Sequence, residues 1–306
     1  MDVKLIYPMT LVLGLTACGS SETEIMRNEA GGPTNTLANL LANGTTVDIA
    51  STPAAFLFRD TFGNMVSVEP TTEVDIAIEP ALAGGHQVRV SAFGHTALLS
   101  STSLDADGTG YALPLSDGRT TIYLVSLEAT WAEVLSGASA QKFAFTYALT
   151  DDDSITGINN RSYGVAGLRT PTSELNGLPN ATYDARLVGD SFWTDDANNG
   201  SRYLADMALS ADFANNSVVG RIDNVTFDDD PDTTEFIVNS GTITDGEFST
   251  SLSVDTGTCA PCITLDASKL NGAFYGNAAQ EVGGSFDMQG QSAGRDWVIG
   301  GAYTGG

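Results

Sequence analysis

The clearest regularity of the chain is an alternation of apolar and polar residues through its second half. In residues 202–213, one face carries only apolar side chains, those of Tyr203, Ala205, Met207, Leu209, Ala211 and Phe213. This period of two is typical of a strand with one face in a core and the other in water. Seven further stretches have strand-like patterns, so the sequence predicts eight strands, at 182–188, 202–213, 218–227, 235–242, 247–254, 267–276, 282–289 and 296–304.

The segments that join these eight strands are short and polar, for example Ala214-Asn215-Asn216 and Thr244-Asp245-Gly246. Short connections indicate that consecutive strands are antiparallel neighbours. Eight antiparallel strands close into a barrel wide enough to fill with side chains or to hold one small ligand. We therefore predict an eight-stranded, antiparallel, up-and-down β-barrel over residues 180–306. A transmembrane barrel is the alternative, but it would need an apolar outer band with aromatic girdles.

The first half of the chain has shorter strand-like runs, separated by Pro, Gly and Asp. They lie at 55–58, 74–78, 88–92, 121–125 and 143–148, and a helix is predicted at 128–135 with a helical turn near 37–41. We predict a β-rich, handle-like domain at 47–150. Charge, Asn, Gly and Pro replace the apolar runs at 151–179, which are interpreted as a linker. The protein is thus predicted to be mainly β.

Glycines mark one predicted hairpin, residues 270–286, with the sequence LNGAFYGNAAQEVGGSF. Glycine relieves crowding where strands coil round a small barrel and turn its corners. This hairpin resembles the signature of the barrel domains in transferrin-binding protein B and its relatives. A second similarity lies about ninety residues earlier, in YGVAGLRTP at 163–171 and LPNATY at 178–183. The two segments occur in the order that the family requires.

The resemblance implies a lipidated tether, a β-rich handle domain and a barrel that displays binding loops outside the cell. Relatives bind transferrin, haemoglobin, haem or complement factor H. Transferrin-binding protein B repeats the handle and barrel in two lobes, whereas this chain has one such unit.

The first hypothesis for the function is a surface-exposed binding lipoprotein that assists iron or haem uptake through an outer-membrane transporter. The alternatives are a structural or adhesive envelope protein without a solute ligand, and a barrel that binds a small apolar molecule in its lumen. Bulky inward-facing residues such as Phe274, Phe286 and Trp297 would fill the lumen, which argues against the hypothesis of a lumen ligand.

The net charge of the chain limits the classes of partner that it can bind. Thirteen basic and 38 acidic residues give a formal net charge of −25. Such a field repels phosphate backbones and anionic lipid headgroups, so we expect no binding to nucleic acid. The negative charge favours solubility, and it favours binding of cations or of a basic patch on a partner protein. We expect a monomer.

The N-terminus predicts export and lipidation. Residues 1–17 contain Lys4 and a short apolar run, and Leu15-Thr16-Ala17-Cys18 looks like a bacterial lipobox. The run is too short to span a bilayer, which leaves a signal peptide at 1–17 and a tether at 18–46 that begins with lipidated Cys18. An ordinary secretory signal is the alternative. Because Gly19 follows the cysteine, we place the protein at the outer membrane of a Gram-negative bacterium, anchored by lipid and exposed at the cell surface.

Two further cysteines stand in Cys259-Ala260-Pro261-Cys262. In an exported chain such a pair is interpreted first as a disulfide. A thioredoxin-like centre would need a following helix, but residues 263–266 are predicted to be extended. A structural zinc site would need two more ligands.

The only histidines, His86 and His95, are nine residues apart, so a shared metal ion would require a bent strand. Either could ligate haem iron alone, and haem or another iron-containing group is the one cofactor considered.

The aspartate clusters at 151–153 and 228–232 are interpreted as solvated turns, with calcium as the alternative. Residues 290–294 match G-x-S-x-G, but a strand follows the serine and both histidines precede it. We therefore predict no catalytic residues and no enzyme activity.

Overall fold

The structure is a computed structural model. It describes residues 36–42, 47–51, 55–59, 65–68, 74–80, 86–92, 95–99, 110–114, 120–127, 129–136, 138–153, 158–257 and 263–306. Cys18, Cys259 and Cys262 lie outside these residues, so lipidation and the disulfide remain predictions. Among the described residues, no helix is long and apolar enough to cross a membrane.

The described part of residues 36–167 forms the handle domain, which contains two short helices and ten strands. The helices are α1 (Leu37–Ala42) and α2 (Trp131–Ser136). The strands are β1 (Val47–Ser51), β2 (Ala55–Arg59), β3 (Met65–Val68), β4 (Asp75–Pro80), β5 (His86–Ala92), β6 (His95–Leu99), β7 (Gly110–Pro114), β8 (Thr120–Ser126), β9 (Ala144–Asp153) and β10 (Ile158–Gly167).

The handle strands form one antiparallel sheet in the order β6-β5-β4-β1-β10-β9-β8-β7, and β2 pairs with both β10 and β3. Both helices cover the core of this sheet with Leu37, Leu40, Trp131 and Val134. Helix α2 begins at Trp131 because Thr130 and Glu133 cap it reciprocally. The Thr130 hydroxyl accepts the Glu133 N–H at 3.2 Å, and the Glu133 carboxylate accepts the Thr130 N–H at 2.8 Å.

The rest of the chain contains a short connecting helix, α3 (Thr172–Leu175), and the barrel domain. The barrel strands are β11 (Ala181–Trp193), β12 (Asp196–Asp212), β13 (Ser217–Phe227), β14 (Asp230–Pro231), β15 (Phe236–Thr244), β16 (Glu247–Thr250), β17 (Leu252–Val254), β18 (Ile263–Tyr275), β19 (Glu281–Ser292) and β20 (Arg295–Gly305).

The barrel sheet is closed and antiparallel. Strand β11 pairs with β20 on one side and with β12 on the other, and the circle is completed by pairing of β13 with β15. Strands β16 and β17 both pair with β15, on either side of Ser251, so they share one of the eight positions around the barrel. Strand β14 is a short addition outside β13. The predicted eight-stranded, mainly β architecture is confirmed, and each predicted barrel strand corresponds to an observed one.

Close backbone contacts explain the glycines of the predicted hairpin, which is now β18 and β19. Gly272 and Gly284 face each other across these strands. A Cβ atom on Gly284 would lie 1.8 Å from the carbonyl oxygen of Asn271, a distance that no side chain can accept without backbone movement. The glycines are therefore required by the tight wall of the barrel.

The segment at 151–179, predicted as a linker, contains part of the handle sheet. Strand β10 lies within it and pairs with β9 over ten residues, from Ile158 opposite Asp153 to Gly167 opposite Ala144. The stretch that joins the two sheets is thus shorter than predicted, at 168–180. Small and apolar residues of β10 are buried on both faces of the sheet: Ala166 lies in the handle core, whereas Tyr163 and Val165 face the barrel. A strand covered on both sides lacks the alternation that would identify it.

Candidate functional site

The interior of the barrel is filled with side chains. Aromatic rings stack in it at centroid distances of 5.0 to 5.8 Å, and the central ring, that of Phe274, contacts Tyr183, Phe213 and Phe248. Phe286 and Tyr203 continue the stack toward the other end at 5.5 Å. All six of these aromatic residues are at most 5% exposed. The described side chains therefore leave no room for a ligand along the middle of the barrel, and Phe274 and Phe286 fill it as the sequence predicts.

One end of the barrel, here called the closed end, is sealed by the segment that arrives from the handle. Leu175 of α3 packs into the barrel core, and the Tyr183 hydroxyl donates to the carbonyl of Ala279 at 2.7 Å. The Thr170 hydroxyl donates to the carbonyl of Gly276 at 2.5 Å. Burial raises the pKa of Tyr183 because ionisation would place a charge in this apolar end.

The outer wall of the barrel packs against the handle through a third apolar cluster. Tyr163 and Val165 of β10 meet Ala273, Val298 and Ala302 of the barrel, and all five are at most 1% exposed. An interface of this kind resembles a domain core more than a transient contact. The handle and barrel are therefore one packed unit.

Glu281 anchors this interface. Its carboxylate accepts the backbone N–H groups of Lys142, Phe143 and Ala144 at 2.6, 3.1 and 3.0 Å. Burial raises the pKa of Glu281, and the three N–H bonds oppose that shift. One barrel side chain thus satisfies three backbone donors at the start of β9.

Two arginines on the handle side add polar links to the barrel. Arg161 and the hydroxyl of Tyr163 both donate to the carboxylate of Asp190, and Arg169 pairs with Glu247. Burial raises the pKa of Tyr163 well above its usual value, and the Asp190 charge adds to this. These arginines are therefore committed to contacts within the protein.

The opposite end of the barrel, here called the mouth, contains an open cavity of about 300 Å³. Its lining includes four aromatic residues from three strands together with apolar and hydroxyl side chains: Phe192, Trp193, Phe227, Trp297, Ile263, Ile299, Ser191, Ser201, Ser292 and Asp232. Consecutive barrel strands bring these positions together because their ends alternate between the mouth and the closed end.

The rim of the mouth is acidic. Among the described residues, the connections at this end carry the aspartates 195, 228, 229, 230, 232 and 255. At least four of them bind local backbone or arginine groups; for example, Asp228 accepts the Arg202 N–H at 2.7 Å, and Asp195 accepts from Arg295 at 2.6 Å. The bonds to Asp228 and Asp195 lower the pKa of both carboxyl groups. Residues 228 and 229 form an exposed turn, as predicted, whereas Asp230 belongs to the short strand β14.

Two aromatic rings of the mouth are in contact with arginine side chains of the protein itself. The guanidinium carbon of Arg295 lies 4.4 Å from the ring centroid of Trp193, and that of Arg161 lies 5.4 Å from the ring centroid of Phe192. Both distances are within the range of a cation–π contact. The chemistry of the mouth therefore accommodates guanidinium groups.

Two polar atoms at this end are buried without a hydrogen-bond partner among the described residues. They are the indole N–H of Trp297, which lines the cavity, and the hydroxyl of Tyr203. Burial raises the pKa of Tyr203, and the charge of Asp232 adds to the shift. From the sequence alone, Trp297 is predicted only to fill the barrel, and the mouth is not predicted. Alternation along single strands does not show which strand ends meet.

The structure separates the two histidines that were considered for metal or haem. Strands β5 and β6 form a hairpin in which His95 pairs with Ala92, whereas His86 pairs with Pro80 at the far end of β5. Six residues of strand place the two backbones about 20 Å apart. This backbone separation is too large for the two residues to share one metal ion. Within the described ranges, no group of three or more His, Cys, Asp or Glu side chains could hold a metal ion.

Comparison with known families identifies the barrel. Residues 171–305 match the family described as the C-lobe and N-lobe beta barrels of Tf-binding protein B. The predicted resemblance is thus confirmed for this domain, whose barrel is similar to the barrels of transferrin-binding protein B. No curated protein is significantly similar to the chain.

Solved structures of transferrin-binding protein B align with most of the chain. Intact Ap-TbpB, with N and C lobes, is 14% identical with a TM-score of 0.46, over 83% of this chain and 45% of its own length. A double mutant of the protein from Haemophilus parasuis Hp5 is 15% identical with a TM-score of 0.46, over 83% and 44%. The isotype 1 protein from serogroup B Neisseria meningitidis is 14% identical with a TM-score of 0.40, over 83% and 43%. The chain thus spans about half the length of these relatives.

Proposed function

We propose that this protein is a lipid-anchored, surface-exposed binding protein of the outer membrane that captures a protein ligand for iron or haem acquisition. Cys18 is the proposed lipidation site, and an outer-membrane transporter is the proposed acceptor of the iron or haem. The barrel acts as a rigid scaffold, and the handle and the barrel loops contact the ligand. In this proposal the protein is a binding protein and not an enzyme.

The observation that carries the proposal is a barrel of transferrin-binding protein B type whose interior is filled. A barrel packed with aromatic side chains offers its outer surfaces and loops for recognition, which suits a macromolecular ligand better than a solute enclosed in a lumen. The buried interface with the handle supports the same idea, because two domains packed as one unit present a preorganised surface.

The net charge of −25 supports a partner with a basic patch. Opposite charges on two surfaces accelerate their encounter and suppress wrong partners, and the effect weakens as salt screens it. Association with the ligand should therefore slow as ionic strength rises.

Binding is tested with the mature chain without its lipidated cysteine, residues 19–306, tethered by its N-terminal end to a sensor surface. Iron-loaded transferrin and haemoglobin are passed over it, and free haem is titrated separately in solution. The proposal expects saturable binding of one carrier protein at about micromolar Kd or tighter, as for specific protein interfaces. Absence of binding to both carriers, together with an unchanged haem spectrum, would leave the structural or adhesive envelope protein as the better hypothesis.

A matched pair of surface variants then locates the contact. Leu98 on handle strand β6 is 49% exposed, and Val219 on barrel strand β13 is 47% exposed. If the handle contacts the ligand, Leu98→Asp weakens binding by about tenfold, a common loss at a central interface residue, and Val219→Asp leaves it unchanged. The reverse result would move the contact to the barrel wall.

The location is tested in cells. Metabolic lipid labelling should disappear in Cys18→Ala, and external protease should degrade the wild-type protein on intact cells. Label that persists in the variant would remove the lipobox from the proposal. Protection from protease would place the anchored protein on the periplasmic side.

A further inference from the structure

The mouth cavity is large enough to hold one side chain and is open to the outside. Its volume of about 300 Å³ is at the small end of the range for ligand pockets. A group that enters it can remain connected to a larger molecule beyond the rim. The cavity therefore suits a side chain that projects from a partner.

The ring faces at the mouth favour a guanidinium group. Arg295 on Trp193 and Arg161 on Phe192 show this contact twice within the protein. Phe227 and Trp297 line the same cavity, and neither has an arginine over its ring among the described residues. Aromatic faces attract planar cations electrostatically, and more strongly when water is excluded.

Charge at the mouth selects a cation. Asp232 lies in the cavity wall, where one of its oxygens accepts the Thr234 N–H at 2.6 Å. The aspartates at 228–230 lie beside it in the same connection. A guanidinium group in the cavity would thus have aromatic faces around its stem and carboxylates close to its charge.

The mouth also contains a hydrogen-bond donor, the indole N–H of Trp297, that could bind a peptide carbonyl of a partner. Trp297 is 6% exposed, and its indole N–H has no hydrogen-bond partner among the described residues. A buried donor of this kind costs free energy until it meets an acceptor. A bare cation supplies no acceptor, whereas an arginine within a polypeptide supplies one through its backbone carbonyl.

We propose that the mouth of the barrel binds an arginine side chain presented by the protein ligand. This inference rests on the proposed function for the identity of the ligand as a protein. It assigns the recognition of one basic residue to a cavity on the barrel, separate from any contact made by the handle.

The test uses three small probes on the mature chain labelled with ¹⁵N-tryptophan. The probes are Nα-acetylarginine amide, its citrulline counterpart, which has nearly the same shape without the charge, and free arginine. The protein has three tryptophans, so the indole signals of Trp193 and Trp297 report the mouth and that of Trp131 in the handle core is an internal control. We expect acetylarginine amide to shift the two mouth signals with a Kd of about 1 mM, as its size allows.

The citrulline probe should bind about tenfold more weakly, the scale of one partly desolvated cation–π contact. Free arginine should also bind more weakly than the amide, because its carboxylate faces the aspartates of the rim. Equal binding of the arginine and citrulline probes would overturn the proposal, and so would a shift of the Trp131 signal alone or the absence of any shift at about 50 mM probe, well above the expected Kd.

Matched variants locate the charge. Asp232→Asn keeps an oxygen for the Thr234 N–H and removes one charge at the cavity, whereas Asp245→Asn removes one charge in the turn between β15 and β16 at the closed end. Affinity for acetylarginine amide should fall about three- to tenfold in the first variant and stay unchanged in the second. An equal fall in both variants would indicate a general field and contradict the site. Thermal unfolding of both variants checks that each is folded.

The outcome is separable from that of the proposed function. If a carrier protein binds the wild type and Asp232→Asn equally well and the arginine probe does not bind, only this inference fails. If the probe binds at the mouth and no carrier protein binds, the arginine site is supported and the proposed carrier-protein ligand is contradicted.

Discussion

The two ends of the barrel are built from the same eight strands and differ in what covers them. At the closed end, Leu175 of the connecting helix and the Tyr183 hydroxyl complete a packed core. At the mouth, turns rich in aspartate surround an open cavity lined by Trp193 and Trp297. The difference shows that closure depends on the segment that the handle supplies, since the strands themselves leave both ends open. One end is thereby assigned to stability, and the other remains available for binding.

Replacing an aromatic ring at each end should give the largest contrast. Phe274 is 1% exposed and contacts three other rings, so Phe274→Ala should lower the free energy of unfolding by about 3–5 kcal/mol through lost burial and a cavity. Phe227 is only partly buried beside the mouth cavity, so Phe227→Ala should cost about 1–2 kcal/mol. Urea unfolding of both variants measures the difference, and equal losses would contradict the assignment of packing to the closed end.

Removal of the interface carboxylate should have the next largest effect. Glu281→Ala leaves three N–H groups of the handle, two of them buried, without their acceptor, so unfolding should become easier by about 2–3 kcal/mol. Glu281→Gln retains one acceptor oxygen and should lose less. Hydrogen exchange at Lys142, Phe143 and Ala144 measures the local change. Unchanged protection of these amides in Glu281→Ala would mean that the carboxylate does not hold the handle to the barrel.

The closed end should also respond to alkaline pH. Tyr183→Phe removes the hydrogen bond to Ala279 and should cost about 1 kcal/mol at neutral pH. The folded-state pKa of Tyr183 is raised above its usual value near 10, so its contribution to stability is complete below about pH 10 and falls as pH rises toward the folded-state pKa. The advantage of the wild type should therefore shrink by about 1.4 kcal/mol per pH unit above pH 10. Unfolding of both proteins at several pH values tests this, and a constant difference from pH 8 to 11 would refute it.

The smallest effect is expected from a single charge on the rim. Asp229 has a left-handed φ of 68° and is exposed among other aspartates, so Asp229→Asn relieves repulsion with a residue that tolerates this backbone. Stability should rise by a few tenths of a kcal/mol at low salt and by less at high salt. Asp245→Asn is the matched control, with a φ of 52° in a turn of the closed end. A larger gain in the control would show that the rim is not the region of strongest repulsion.

Much of the architecture follows from local patterns. Alternation along residues 202–213 and its counterparts identifies all eight barrel strands, because one face of each meets a core and the other meets solvent. The hairpin glycines were interpreted correctly as relief of crowding, and Gly284 against Asn271 shows the contact that requires them. The start of α2 also has a local signal that was not used in the prediction, since Thr130 and Glu133 have capping-box spacing.

Other features lack a local pattern. Strand β10 was interpreted as linker because its small residues are covered on both faces, so burial leaves no period of two. The site at the mouth joins Trp193, Phe227 and Trp297 from strands far apart in the chain, and Arg295 reaches Asp195 across 100 residues.

For the barrel domain, the sequence by itself determined the strand count, the antiparallel order and the type of barrel, because these depend on neighbours along the chain and on short connections. Only the tertiary structure decided which end is closed, how the handle packs and which aromatic and acidic side chains meet at the mouth. Those properties arise from the closure of the sheet and from packing between distant segments, and a periodic pattern along one strand carries no information about either.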